Sequence, residues 1–206
     1  MQDRRDNKRS GPGFNRRDFL KGSGAAVAAT AMATATEEAQ AQEQKSNVAS
    51  GPTKITLNVN GHDHTLTLEP RVTLLDALRN DLNLTGAKEV DDTTASGADT
   101  VMIDGKAVLA SSRLAIECQG KKITTVESLR NGNDADEVIE GFIEHDGMQC
   151  GFCTPGFVMA TRAFLNQNPN ASLEEIQKGL GGNICRCGTY HGITECALEI
   201  AQKGGA

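Results

Sequence analysis

Apolar and polar positions first alternate with a period of two. Ile55, Leu57 and Val59 are separated by Thr56 and Asn58, and after Asn60-Gly61 the residues Leu66 and Leu68 are separated by Thr65 and Thr67. This alternation on both sides of Asn-Gly predicts a β-hairpin, because the tight turn needs positive φ at both central positions and these residues adopt it at least cost. Leu74, Leu75, Leu78 and Leu82 then recur at helical spacing behind Thr73, which predicts an amphipathic helix of about three turns with a threonine N-cap. Val101-Met102-Ile103 before Asp104-Gly105, and Ile123 to Val126, predict two further strands. Strand, strand, helix, strand, strand is the order of a β-grasp domain, a sheet closed over one helix.

Beyond Arg130 the period changes to that of helices. Val138, Ile139, Phe142 and Ile143 form one apolar stripe, and Phe157, Val158, Ala160, Thr161 and Phe164 form another. Thr154-Pro155 predicts an N-cap and a helix-opening proline before the second stripe. Ser172-Leu173-Glu174-Glu175 has the form of a capping box and opens a third helix through Ile176 and Leu180. Ile193, Ala197, Leu198 and Ala201 carry a fourth. The chain is therefore expected to be α+β, with a sheet domain over residues 53–128 and a four-helix domain over residues 129–206.

The amino end reads differently. Residues 1–21 are basic, Gly22 to Ala33 is weakly apolar, and small residues end in Ala39-Gln40-Ala41, the order of a cleavable export signal over residues 1–41. The segment Asn15-Arg16-Arg17-Asp18-Phe19-Leu20-Lys21 resembles the recognition motif of the twin-arginine (Tat) pathway, which carries folded proteins to the periplasm. A plain basic tail would need neither the Phe-Leu-Lys nor the small-residue end. Gln42 to Pro52 is polar and reads as a linker. No stretch approaches the roughly 20 apolar residues of a spanning helix, so no membrane insertion of the mature chain is expected. Residues 1–41 carry a net +2 of the chain's −6, which leaves the remainder at −8. That sign is wrong for nucleic acid or anionic lipid.

Aromatic residues are only 3% of the chain, so the cores are thin and a metal staple would help them. Six cysteines could supply one, and Cys118, Cys150, Cys153, Cys185, Cys187 and Cys196 all lie beyond the midpoint. Cys150-Gly151-Phe152-Cys153 and Cys185-Arg186-Cys187 are two close pairs, each at a helix start and flanked by glycines whose exposed N–H groups could bond thiolate or sulfide. Spacing alone leaves three readings open: an iron–sulfur cluster, a zinc site of four cysteines, for which C-x-C is unusual, and periplasmic disulfides or a redox pair.

The segments Gln149-Cys150-Gly151-Phe152-Cys153-Thr154-Pro155-Gly156 and Gly182-Asn183-Ile184-Cys185-Arg186-Cys187-Gly188 resemble the two signature segments of the small iron–sulfur subunit of molybdenum hydroxylases, the xanthine dehydrogenase and aldehyde oxidoreductase family. The similarity spans about residues 53–200 and includes Leu74-Leu75-Asp76-Ala77-Leu78-Arg79 and Asp104-Gly105. It implies a plant-ferredoxin-like β-grasp domain followed by a helical [2Fe–2S]-binding domain, with Cys150, Cys153, Cys185 and Cys187 as cluster ligands and Gln149 approaching the molybdenum cofactor of a large partner subunit. The resemblance further implies electron transfer from aldehyde or N-heterocycle oxidation on that partner, and onward to a FAD subunit or a haem protein such as a cytochrome.

One part of the family pattern is missing. Its amino domain holds a second cluster by C-x4-C-x2-C and a later cysteine, and aligned on Gly86, Gly97-Ala98, Thr100 and Asp104-Gly105 these positions are Asp91, Ser96, Asp99 and Ser111. Four hard oxygen groups do not suit a soft iron–sulfide core, so one cluster is expected instead of two. Asp91, Asp92 and Asp99 are expected as solvated carboxylates ahead of a hard-cation site. A structural or assembly subunit carrying little current and a free-standing zinc or redox module built on the four paired cysteines are the rival readings. Cys118 and Cys196 match no ligand position and read as buried apolar residues, with a disulfide as the alternative. His62 and His64 read as hairpin surface, and His145 and His191 as residues that at most stand behind the ligands.

Overall fold

The hairpin forms where the alternation puts it. Strand β1 (Thr53–Val59) pairs antiparallel with β2 (His62–Leu68), and Asn60 and Gly61 turn the chain with φ of 53° and 82°. Ile55, Leu57 and Val59 face inward and are essentially fully buried. The structure, a computed structural model, describes residues 50–90, 95–132 and 134–204, so the export signal, Asp91 and Asp92 lie outside the described residues.

After β2 the chain enters a helix, α1 (Leu74–Asp76), whose Thr73 side chain accepts from the Asp76 N–H. It continues as a wider π turn over Ala77–Asp81, so the helical segment ends before Leu82 and is shorter than the leucine spacing predicts. Arg79 Nη1 donates to the carbonyls of Thr85 and Ala87 and holds the following segment against it.

A second hairpin, absent from the sequence reading, follows. Strand β3 (Thr100–Ile103) turns at Asp104-Gly105 into β4 (Lys106–Leu109), with both turn residues again at positive φ. Lys106 and Ala107 are both exposed, so β4 lacks the alternation that marks a strand. Strand β5 (Lys122–Thr124) completes a sheet of order β2-β1-β5-β3-β4, parallel to β1 and antiparallel to β3. Both hairpin tips clasp β5. Asn60 donates its N–H to Ile123 O and exchanges side-chain bonds with Thr125, while the Asp104 N–H and carboxylate bond the backbone of Lys122. Leu74, Leu75 and Leu78 of the helical segment lie under the sheet with Ile55, Leu57, Val101 and Ile123.

A short pair, β6 (Arg130–Asn131) and β7 (Asp134–Ala135), leads into four helices. These are α2 (Glu137–Glu144), α3 (Thr154–Gln167), α4 (Leu173–Gly179) and α5 (Tyr190–Gln202). The capping box at Ser172 and Glu175 is present in both directions. The N-cap of α3 is Cys153, not Thr154, because Thr154 and Pro155 already sit in the first turn. Phe142, Phe157, Ile176, Ile193 and Cys196 fill the core between the helices. Cys196 and Cys118 are free, buried thiols in different cores, so no disulfide joins them.

Residues 49–206 form one compact unit. Met102 of β3 packs on Met159 and Ala163 of α3, with Val126 and Leu129 beside them. Gly156 makes a second contact, since a Cβ there would fall 2.2 Å from Gly97 O. The sheet and the first turn of α3 touch backbone to backbone.

Candidate metal centre

The connections before α3 and α5 bring the two cysteine pairs together. Cys150 and Cys153 lie between α2 and α3, and Cys185 and Cys187 lie between α4 and α5. Gly151 and Gly188, at φ of 80° and 84°, let each loop turn back tightly. Phe157 of α3 meets Tyr190 of α5 edge to face, with ring centroids 5.9 Å apart, and the Tyr190 hydroxyl accepts the Cys185 N–H at 2.8 Å. One aromatic contact thus aligns both helix starts and one cysteine backbone.

The thiols meet across the loops. Cys150 interacts with Cys187, and Cys153 with Cys185. Four thiols brought together as two pairs would serve as the ligands of a two-iron core, which would supply one-electron transfer.

Backbone donors surround these sulfurs. The Phe152 N–H bonds Cys150 and, helped by the Cys187 thiol, holds its pKa below the usual thiol range. Burial pushes Cys185 up, but the Thr189 hydroxyl and N–H, Cys153 and the Cys187 N–H outweigh it and bring the thiol to about 7. Thr189 Oγ1 is 3.2 Å from Cys185 Sγ. The remaining two thiols are raised. The Cys150 N–H favours the anion of Cys187, but its bond to the Cys150 sulfur, with burial and the neighbouring thiols, raises it overall. Burial, followed by Cys185, takes Cys153 to about 12. Each pair therefore has one thiol shifted down and one shifted up from the ordinary thiol range. Four soft donors in two pairs, with N–H groups aimed at sulfur, fit an iron–sulfur core.

Exposure is graded across the site. Cys185 is buried, Cys153 and Cys187 are half-buried, and Cys150 is exposed. Gln149 is exposed beside Cys150, and the apolar side chains of Met148, Phe152, Ile184 and Tyr190, which flank the cysteines in sequence, are 41%, 49%, 52% and 43% exposed. His145 turns to Glu199, at 2.5 Å, and Lys203 takes the other oxygen of that carboxylate. The side-chain ligand atoms of Glu144, His145 and Glu199 lie within 4.8 Å of one another. His191 is exposed at the start of α5, and His62 and His64 lie on the outer strand β2.

Asp99 and Ser111 bind each other, and Ser96 Oγ accepts the Ala98 N–H at 3.4 Å. Contrary to the expected solvated carboxylate, Asp99 is 4% exposed. Its carboxylate accepts the Ser111 N–H at 2.8 Å and the Ser111 hydroxyl, bonds that replace the water it loses. Sequence reasoning also missed Asn183, whose buried side-chain amide donates to Gly97 O at 2.8 Å. Its place two residues before Cys185 was the available signal.

The [2Fe-2S] binding domain family matches residues 125–198, which supports an iron–sulfur cluster in the helical half, and the TAT (twin-arginine translocation) pathway signal sequence matches residues 13–33. The chain is 41% identical over 160 residues to the nicotine 6-hydroxylase small subunit of Paenarthrobacter nicotinovorans, covering 76% of this chain and 96% of that one. It is 37% identical over 164 residues to the aldehyde oxidoreductase iron-sulfur-binding subunit PaoA of Escherichia coli strain K12, covering 72% of each. Among solved structures, a chain of quinoline 2-oxidoreductase from Pseudomonas putida 86 matches with a TM-score of 0.70 and 34% identity, over 76% of this chain and all of that one.

Proposed function

The chain belongs to the small iron–sulfur subunits of the molybdenum hydroxylases, and on that premise we propose that Cys150, Cys153, Cys185 and Cys187 hold the one [2Fe–2S] cluster of this subunit. The observation that carries the reading is the approach of four thiols in two pairs across the loops, each pair met by backbone N–H donors. When bound, the cluster supplies one-electron transfer.

The residues of the chain do the rest. The N–H groups of Phe152, Cys150, Cys187 and Thr189 stabilise negative charge on sulfur, and Tyr190 fixes the Cys185 backbone. Among the described residues none is assigned as nucleophile or general base for the oxidation reaction. Oxidation of an aldehyde or N-heterocycle belongs to a large molybdenum-cofactor subunit. That subunit docks on the apolar rim of Met148, Phe152, Ile184 and Tyr190, where Gln149 and Cys150 face outward. Gln149 would approach the cofactor of that subunit.

The division of labour follows the chain: an export signal over residues 1–41, a linker over 42–52, a β-grasp domain over 53–128 without a cluster, and a cluster-binding helical domain over 129–206. The mature complex works in the periplasm. With Asp91, Ser96, Asp99 and Ser111 in place of thiols, the path to a FAD subunit has a gap. Electrons leave slowly by that route or pass to a haem acceptor such as a cytochrome. Unimpaired turnover with a flavin acceptor in the intact complex contradicts the one-cluster reading.

Iron, zinc and acid-labile sulfide per chain, with an EPR spectrum of the reduced protein, test the assignment. About two irons, two sulfides and one rhombic signal are expected. About four irons would overturn the single cluster, and zinc without sulfide would overturn the cluster altogether.

A further inference from the structure

The loop before β3 carries Ser96 to Asp99, and its side chains are occupied within the sheet half. Asp99 binds the N–H and hydroxyl of Ser111, and its own carbonyl accepts the Ala110 N–H at 3.3 Å. These bonds tie the start of β3 to the turn that follows β4. The carbonyls of Ala98 and Asp99 accept from Lys88 and Ala110 within the sheet half, while those of Ser96 and Gly97 reach the helical half.

Two of those carbonyls meet the segment entering Cys185. Ser96 O accepts the Ile184 N–H at 2.8 Å, and Gly97 O accepts Asn183 Nδ2 at the same distance. Asn183 Nδ2 also reaches Thr100 Oγ1 at 3.2 Å, and that hydroxyl bonds Gly97 O at 2.6 Å. On its other side the loop lies against Gly156, three residues after Cys153, where a Cβ would meet Gly97 O at 2.2 Å and Ala98 Cα at 2.9 Å. One loop therefore touches the backbone beside Cys185 and the backbone beside Cys153, the two members of one thiol pair.

We propose that the loop at Ser96 to Asp99 is a strut that sets the spacing of the Cys153 and Cys185 segments, with Asn183, Asp99 and Ser111 as its positioning residues. The inference rests on the reading that these cysteines hold the cluster. Outer contacts that orient ligands alter metal retention by about ten- to a hundredfold when removed, and they act here across the boundary between the two halves. The oxygen groups in the sheet half then serve the metal centre of the helical half without touching it.

Asn183→Asp tests the strut, because it keeps the shape of the side chain, removes its N–H donors and sets an oxygen against the Gly97 carbonyl. The full chain is isolated from its producing cells with whatever subunits accompany it. Iron and sulfide are measured on the unsubstituted protein first; their absence would defeat the cluster assignment and the strut with it. With the cluster present, N183D is expected to lose iron to a ferrous chelator about tenfold faster and to show a shifted or broadened EPR signal of the reduced centre. Ser111→Ala is expected to change both readouts in the same direction by less, and Ser111→Thr, which keeps the hydroxyl, to leave them unchanged. A folded N183D with the release rate and EPR signal of the parent overturns the proposal. Where N183D does not fold, the serine pair decides, and equal behaviour of S111A and S111T overturns it.

Discussion

The loops of the sheet half and those of the helical half differ in what their polar groups have left to do. In the sheet half, Asp99 and Ser111 satisfy each other inside the protein. In the helical half, the thiols meet in pairs, backbone N–H groups point at their sulfurs, and Cys150 remains open to the outside. A carboxylate bonded to a hydroxyl and an N–H is complete, whereas two weakly bonded thiol pairs with surplus donors are stabilised by a cation that turns them into thiolates. On the proposed reading, a metal site is distinguished by unmet coordination more than by the spacing of its loop.

The largest expected effect breaks the comparison from the helical side. Cys185→Ser exchanges the buried thiol with the most donors for a hard, less acidic hydroxyl, and iron is expected to fall from about two per chain to near zero, measured as iron, sulfide and visible absorption. Next is Gly156→Ala, which forces a methyl into the backbone of Gly97 and Ala98. Overpacking of this kind costs about 1–3 kcal/mol or more, read as a lower urea midpoint and as faster iron loss, because the same contact supports both halves.

Iron-free protein sharpens the contrast among the thiols themselves. Cys150 is exposed and held below the usual thiol range by the Phe152 N–H, so alkylation by iodoacetamide is expected to reach it first near neutral pH. Cys196, which burial and then the nearby Glu199 push to about 12, is expected to stay unlabelled until the chain unfolds, as judged by peptide mass spectrometry. The smallest effect lies outside both loops. Ser172→Ala removes the cap of α4 at about 1 kcal/mol. Glu175 is held below the usual carboxylate range by the Ser172 N–H and hydroxyl. Its share of this stability is present above its unfolded pKa and is lost as pH falls through the lower folded value. The difference between S172A and the parent should therefore narrow in acid unfolding curves.

Much of this arrangement is legible in short stretches of sequence. Asn60-Gly61 and Ser172 with Glu175 act over two or three residues, so a local reading suffices for the first hairpin and for the start of α4. The cysteine pairs announce themselves by soft chemistry at close spacing. Strand β4 is hidden because Lys106 and Ala107 are both exposed, and its pairing with β3 supplies what its pattern lacks. The burial of Asp99 depends on Ser111, 12 residues away, and Asn183 finds Gly97 at a separation of 86 residues. Such partners are set by topology, which no local period encodes.

The clasp of both hairpin tips on β5 also orders events in time. Each hairpin closes over a few residues, whereas β5 reaches its place through bonds such as Asn60 to Thr125, 65 residues apart. Long closures carry the larger entropic cost before any contact rewards them, so the hairpins form early and β5 is threaded between finished tips late. Ile123→Val is accordingly expected to speed unfolding in stopped-flow experiments while leaving the refolding rate nearly unchanged. A refolding rate that falls by the full loss of stability would reverse that order. The late strand leads directly into residues 126–129, so the last step of the sheet is also the one that delivers the helical half to its seat.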